Sequence, residues 1–155
     1  MILIIEDDPD IAEVLRYSLE SENLKTRVAL TGEEGLSASL DKHNPPSLIL
    51  LDLLLPGMSG IEICRRLRNE SQTRSTPVVI VTAKASDNDI RISQELGVAD
   101  YITKPFSVRE VISRVNSLLN ETETSLIYEN PNKHYKGEDH DADRARINFK
   151  PILTL

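Results

Sequence analysis

One carboxylate interrupts an otherwise apolar stretch of the chain, and it is the first residue that could do chemistry. Asp52 lies in the run 48–55, which is bounded on both sides by proline-containing turns. The length and bounds of this run predict a buried strand of a parallel sheet. Burying a carboxylate is costly unless it is paired or lies at an open strand end. Since Pro56-Gly57 follows closely, we expect Asp52 at the carboxyl end of its strand, where open α/β sheets bind ligands.

Polar side chains also end three other predicted strands. Glu6 and Asp7 follow the apolar run 2–5, Thr82 ends a run of β-branched residues, and Lys104 follows a short strand near residue 100. The carboxyl ends of parallel strands meet at one edge of a sheet. We therefore expect these four residues to converge with the aspartate of the central strand.

Such a set of groups suits phosphoryl chemistry. Clustered carboxylates repel one another and need a cation, and oxygen ligands without His or Cys favour Mg²⁺. Lys104 would supply a compact positive charge and Thr82 a hydroxyl for the oxygens of a phosphoryl group. Asp52 could then act as a nucleophile that forms an aspartyl phosphate. Positioning and neutralisation of charge would supply the catalysis.

The elements that must hold these residues alternate between strands and helices. Apolar runs predict strands over 2–5, 24–30, 48–55, 77–83 and 99–103, and each is followed by a segment with helical spacing of its apolar residues. The helices begin after residues that favour N-caps: Asp8, Thr31, Ser59, Ser86 and Ser107. This alternation predicts an α/β fold with a five-stranded parallel sheet, doubly wound, with helices on both faces. We expect the flavodoxin-like strand order 2-1-3-4-5.

Composition excludes several classes of function. The 155 residues carry a net charge of −7, so a basic nucleic-acid footprint is absent and we expect this chain itself to bind no nucleic acid. A single cysteine, Cys64, cannot form an intramolecular disulfide. No apolar run approaches the length of a membrane span, and no signal peptide precedes the first strand. We therefore expect a cytoplasmic protein that does not bind membranes.

The alternating pattern ends near residue 120. Beyond it the chain is rich in acids and poor in apolar residues until Ile147. We predict one domain over 1–120 and an acidic linker or C-terminal tail over 121–155. The apolar end of that segment could dock as a strand or begin an output domain that this chain does not complete.

Four motifs together resemble the receiver domain of two-component response regulators, and the resemblance covers residues 1 to about 120. They are Glu6-Asp7-Asp8, Asp52-Leu53-Leu54-Leu55-Pro56-Gly57-Met58-Ser59-Gly60, Val81-Thr82-Ala83 and Asp100-Tyr101-Ile102-Thr103-Lys104-Pro105-Phe106. The last motif is most similar to receivers that precede winged-helix DNA-binding domains, which regulate transcription.

The resemblance implies a role for each matching residue. Asp52 would accept a phosphoryl group from a sensor histidine kinase or phosphotransfer protein. Asp7, Asp52 and the backbone carbonyl of Leu54 would ligate Mg²⁺, and Glu6 would act through a metal-bound water. Lys104 would contact the phosphoryl group, next to a cis bond to its proline.

The resemblance also implies a switch and a partner surface. Thr82 and Tyr101 match a pair in which the hydroxyl moves to the phosphoryl group and the ring turns inward. The face formed by the fourth helix, fifth strand and fifth helix would form a homodimer, and Asp100, Glu110 and Arg114 fit that face. The protein would be a phosphoacceptor with self-catalysed phosphotransfer and dephosphorylation rather than an enzyme acting on separate substrates.

Two other functions compete with this one. A metal-dependent phosphatase with an aspartyl nucleophile would use Asp52 similarly, but would need an acid soon after it, where Leu53, Leu54 and Leu55 are apolar. A receiver-like interaction module that is never phosphorylated would not need all of these polar residues.

Overall fold

Five short strands form the centre of the molecule, seen in a computed structural model that describes residues 1–83 and 86–129. The strands are β1 (Ile2–Ile5), β2 (Thr26–Ala29), β3 (Leu48–Leu51), β4 (Val78–Thr82) and β5 (Asp100–Thr103). The helices are α1 (Pro9–Ser21), α2 (Gly32–Ser39), α3 (Gly60–Asn69), α4 (Asp87–Glu95) and α5 (Val108–Glu129). All strand pairs are parallel in the order β2-β1-β3-β4-β5. The predicted fold and strand order are confirmed.

Local sequence explains where the helices begin. The Asp8 side chain accepts hydrogen bonds from two backbone N–H groups of the first turn of α1, and Pro9 occupies the first helical position. Ser59 caps α3 in the same way, through the N–H of Glu62. Ser86 and Asp89 form a reciprocal capping box at the start of α4.

Two apolar clusters cover the two faces of the sheet. Successive residues of a strand point to opposite faces, so β3 contributes to both: Ile49 and Leu51 to one cluster, Leu48 and Leu50 to the other. The four residues of β1 and of β3 are all buried, as expected for parallel strands covered on both sides. This rigid centre fixes the positions of the strand ends.

Three elements differ most from those expected. β3 ends at Leu51, one residue before Asp52, and does not continue to residue 55. β2 is shorter than the predicted segment 24–30, because the N–H of Leu24 bonds back to the carbonyl of Leu19 in α1. α5 continues past residue 120 to Glu129, into the segment predicted as linker. The rest of that segment, 130–155, lies outside the described residues. Within the described part of the chain, no helix is both long and apolar enough to cross a membrane.

Candidate functional site

The register of β1 and β3 brings two carboxylates side by side. Ile5 pairs with Leu51 at the ends of these strands, and the N–H of Asp52 donates to the carbonyl of Ile5 at 3.0 Å. Glu6 and Asp52 are therefore adjacent at the carboxyl edge of the sheet, where they are 2% and 5% exposed. Two buried carboxylates on adjacent strand ends repel each other and need a positively charged group beside them.

Asp7 completes an acidic cluster at this edge. One carboxylate oxygen from each of Glu6, Asp7 and Asp52 lies within 4.8 Å of the others, and Asp7 alone of the three is exposed. Three carboxylates that converge in this way, without nitrogen or sulfur ligands in the cluster, fit a hard divalent cation such as Mg²⁺. The exposure of Asp7 leaves one side of the cluster open to solvent.

Lys104 bridges the two buried acids. Its Nζ lies 2.6 Å from Glu6 Oε2 and 2.6 Å from Asp52 Oδ2, and its side chain is only 12% exposed. The end of β5 holds it there, because the Lys104 N–H donates to the carbonyl of Thr82 at 2.9 Å. The Lys104-Pro105 peptide bond is cis, as the resemblance implied.

The charges of this bridge shift the pKa values of two of its members. Burial raises the pKa of Glu6, although the hydrogen bond from Lys104 opposes the shift. Burial by itself would lower the pKa of the Lys104 ammonium, but its hydrogen bonds to Asp52 and Glu6 and their negative charges outweigh burial and raise it. The bridge therefore favours the charged form of Lys104, while burial favours the protonated form of Glu6.

Backbone groups after β3 fix the carboxylate of Asp52. Its Oδ1 accepts a hydrogen bond from the N–H of Leu54 at 2.9 Å, while its other oxygen faces Lys104. The Leu54 side chain is 58% exposed, so its backbone, not its side chain, belongs to the site. The predicted ligand role of the Leu54 carbonyl stays a prediction.

Gly60 packs closely against the backbone of Asp52 and Leu53, a role that the sequence did not reveal. A Cβ at this position would lie 2.5 Å from the Asp52 backbone oxygen and 2.7 Å from Leu53 Cα. No side chain fits there without a backbone shift. A glycine at the first position of a helix, directly after its cap, was the available signal.

The predicted switch residues lie on neighbouring strands. Thr82 ends β4, is 3% exposed, and pairs in register with Thr103 of β5, the residue before Lys104. Tyr101 is partly buried on β5, and its hydroxyl donates to the Asp89 carbonyl of α4 at 3.4 Å. Burial raises the pKa of the Tyr101 phenol, and Cys64 and Asp89 add to the shift. The switch itself stays a prediction.

Residues expected on a dimer face make contacts within the chain. Arg114 Nη1 lies 3.0 Å from Asp100 Oδ2, which ties α5 to β5. Glu110 is exposed in the first turn of α5, where its backbone N–H donates to Ser107 Oγ. Their role in dimerisation stays a prediction.

Comparison with known proteins agrees with this geometry. Residues 2–116 match the family model described as the response regulator receiver domain. A crystal structure of a CheY-like response regulator receiver domain protein from Methanospirillum hungatei superimposes with a TM-score of 0.75 at 29% identity. The match covers 80% of this chain and 96% of that one.

Two curated relatives are, by name, a DNA-binding response regulator and a transcriptional regulatory protein. The DNA-binding response regulator MtrA of Mycolicibacterium smegmatis is 41% identical over 122 residues, which cover 79% of this chain and 51% of MtrA. The transcriptional regulatory protein ResD of Bacillus subtilis is 39% identical over 151 residues, which cover 93% of this chain and 61% of ResD. The chain thus spans between half and two thirds of the length of these relatives.

Proposed function

The chain belongs to the receiver domain family of two-component response regulators, and from this membership we propose that Asp52 accepts a phosphoryl group and that the domain switches conformation in response. The donor would be a phosphohistidine on a sensor histidine kinase or on a phosphotransfer protein. Membership of the family favours this function over an aspartyl phosphatase and over a module that is never phosphorylated.

One observation carries the proposal: a buried lysine bridges two buried carboxylates beside a third, exposed one. Lys104 lies 2.6 Å from both Glu6 and Asp52, and Asp7 completes the cluster. A simple ion pair balances one acid with one base, whereas here one base lies among three acids. The excess of negative charge at an open strand edge suits a site that takes a cation and a phosphoryl group.

The chemical step that these residues support is an in-line displacement. An oxygen of the Asp52 carboxylate forms a bond to phosphorus, and the bond from phosphorus to the donor breaks, with its electron pair leaving on the donor. The Leu54 N–H orients the carboxylate from one side. The Lys104 ammonium can contact the Asp52 carboxylate before the reaction and the new phosphoryl oxygens after it. Catalysis therefore comes from positioning and electrostatics. Dephosphorylation would be the self-catalysed attack of water on the same phosphorus, which breaks its bond to the Asp52 oxygen and releases inorganic phosphate and the free carboxylate.

Glu6, Asp7 and Asp52 would hold Mg²⁺, with the Leu54 carbonyl as a further ligand in this proposal. When bound, Mg²⁺ neutralises charge on the oxygens of a phosphoryl group. The cluster supports this choice because all its candidate ligand atoms are carboxylate oxygens. Glu6 would act through a metal-bound water, as the family resemblance implies.

Thr82 and Tyr101 would carry the signal to the face formed by α4, β5 and α5, where Asp100, Glu110 and Arg114 would take part in a homodimer. A phosphoryl group adds roughly −1.5 to −2 charges at neutral pH, enough to bias an element that has two positions. In such a dimer, Asp100 of one subunit would form its ion pair with Arg114 of the other subunit instead of the one in its own chain.

The output would be transcription regulation in the cytoplasm, by a longer regulator of which this chain is the front part. The names of MtrA and ResD support this role. The match to ResD covers 93% of this chain, so it reaches into 121–155. We propose that this segment links the receiver domain, 1–120, to the start of an output domain.

The test is the intact mass of the chain after incubation with acetyl phosphate, with Mg²⁺ and with Mg²⁺ removed by a chelator. We expect one added phosphoryl group that depends on Mg²⁺, none with Asp52→Asn, and a normal gain with Asp10→Asn, which changes an exposed acid of α1. No mass gain in the unmodified chain, or an undiminished gain in Asp52→Asn, would overturn the proposal.

A further inference from the structure

A guanidinium group joins α3 to the end of α4. Arg68 lies in the last turn of α3, and its Nε donates to the Leu96 carbonyl at 2.8 Å while Nη2 donates to the Gly97 carbonyl at 3.0 Å. Nη1 donates to the carbonyls of Thr76 and Thr73, at 3.0 and 3.3 Å, in the loop before β4. One side chain therefore connects α3 to the loop that follows it and to the remote end of α4.

The rest of α4 is weakly attached to the domain. Within Asp87–Glu95, all of which the structure describes, Ser93 alone is buried, and its hydroxyl bonds to carbonyls of α4 itself. The last turn of this helix contains no basic residue. A cation near the carboxyl end of a helix stabilises its last carbonyls. Arg68 supplies that cation from a neighbouring helix.

The first turn of α4 has a different attachment. There the Asp89 carbonyl accepts the long hydrogen bond from Tyr101, at 3.4 Å. At the other end Leu96 and Val98 pack against the core, beside the contacts of Arg68. The two ends of the helix are thus unequally held, weakly near β5 and firmly near α3.

We propose that Arg68 is the fixed anchor about which α4 turns when Asp52 is phosphorylated. This inference rests on the proposed function, since it concerns how that signal moves through the domain. Arg68 is a positioning residue, because it contacts the carboxyl end of α4 whereas Tyr101 contacts its first turn. The anchor confines the phosphorylation-dependent movement to the first turns of the helix.

The chemistry of arginine suits an anchor of this kind. The guanidinium presents five N–H donors in a planar fork, and here the fork spans carbonyls of separate segments. A lysine would keep the charge but could not reach these carbonyls at once. Arg68→Lys should therefore retain part of the anchoring, and Arg68→Met none.

Hydrogen exchange of backbone amides, followed by mass spectrometry on the whole chain, tests the anchor. The amides of Leu96, Gly97 and Val98 all donate to carbonyls of α4 and report on its end. Without a phosphodonor, Arg68→Met should speed their exchange at least about tenfold, because charged hydrogen bonds are lost locally. Arg66→Met is the matched control, since Arg66 bonds to Glu62 within α3, and should leave exchange unchanged.

Addition of acetyl phosphate and Mg²⁺ tests the movement. In the unmodified chain, exchange should change most at 88–92 and little at 96–98; in Arg68→Met the change should extend through 96–98, and Arg68→Lys should lie between. Unchanged exchange at 96–98 in Arg68→Met and Arg68→Lys without the donor would overturn the anchor. So would equal changes at both ends of α4 in the phosphorylated, unmodified chain.

The two proposals can fail separately. The intact mass of each sample shows whether Asp52 was phosphorylated at all. A chain that gains no mass would overturn the proposed function and, with it, the movement of α4. Hydrogen exchange at 96–98 without the phosphodonor tests the anchor independently of phosphorylation. If Arg68→Met does not fold, Arg68→Lys supplies the same comparison.

Discussion

Removal of the bridging lysine tests the electrostatics of the site most directly. Lys104→Met keeps the length of the side chain but takes away the cation that lies 2.6 Å from both Glu6 and Asp52. The two acids stay buried, at 2% and 5% exposure, with Asp7 beside them. We expect the variant to be less stable than the unmodified chain, and the loss to grow with pH.

The contact distances set the magnitude. At an effective dielectric constant of about 20, each contact is worth roughly 6 kcal/mol of gross attraction, most of which desolvation of the charges offsets. Breaking a buried ion pair by removing one partner costs about 3–5 kcal/mol. We expect the lower end, about 3 kcal/mol at pH 7.5, because the exposed Asp7 leaves one side of the site open to solvent.

The sign of the pH dependence follows from Glu6. Its pKa is already raised above the ordinary value of 4.5, and the substitution removes the hydrogen bond and positive charge of Lys104 that oppose this rise. A pKa raised in the folded state gives stability that is present below the unfolded value and is lost as pH rises through the folded value. The pKa of Lys104 is raised above 10.5, so its own contribution is present throughout this range. The difference between the two proteins should therefore be small near pH 4.5 and widen toward neutrality.

Urea unfolding followed by far-UV circular dichroism measures this difference, since the chain contains no tryptophan. The comparison needs pH 4.5 and 7.5, with and without Mg²⁺. Mg²⁺ should stabilise Lys104→Met more than the unmodified chain, because the carboxylates no longer share an ammonium. Lys25→Met, an exposed lysine at the other end of the sheet, is the control. A loss below about 1 kcal/mol, or one that does not depend on pH, would refute the reasoning.

Three further predictions concern single positions. Gly60→Ala should cost about 1–3 kcal/mol and slow phosphorylation by acetyl phosphate, because the new methyl group meets the Asp52 backbone oxygen at 2.5 Å; an unchanged rate in the intact-mass assay would contradict this. Asp8→Ala should lower the free energy of unfolding by about 1 kcal/mol through loss of the α1 cap, as measured in urea. Burial raises the pKa of the Cys64 thiol to about 11, so iodoacetamide at pH 8 should alkylate it in urea but hardly in the folded protein; rapid labelling without urea would contradict this.

The sequence predicted the sheet and the position of the site because both follow from local patterns. Apolar runs of strand length, helix caps and proline-containing turns give alternating strands and helices, and such alternation has few topological solutions. Once the strands are parallel, their carboxyl ends must share one edge. Glu6, Asp52 and Lys104 converge for that reason, although they lie far apart in the chain.

Sequence patterns could not give the distribution of contacts within that edge. Nothing local shows that Lys104 bridges two acids equally, that Glu6 is as buried as Asp52, or that Gly60 must leave room behind the acceptor. These facts depend on the register of β1, β3 and β5 and on how the loops after them fold. The Asp100–Arg114 pair likewise required the packing of α5 on β5.

The sequence by itself determined the fold class, the strand order, the helix starts and the residues that meet at the edge of the sheet, since periodicity and turn chemistry act over a few residues. Only the tertiary structure decided what joins distant segments: the Lys104 bridge and the Arg68 contacts with the end of α4. The physical reason is that hydrogen bonds and ion pairs between remote residues form only when the distance between their atoms is correct to within a few tenths of an ångström. Packing of the whole domain sets that distance.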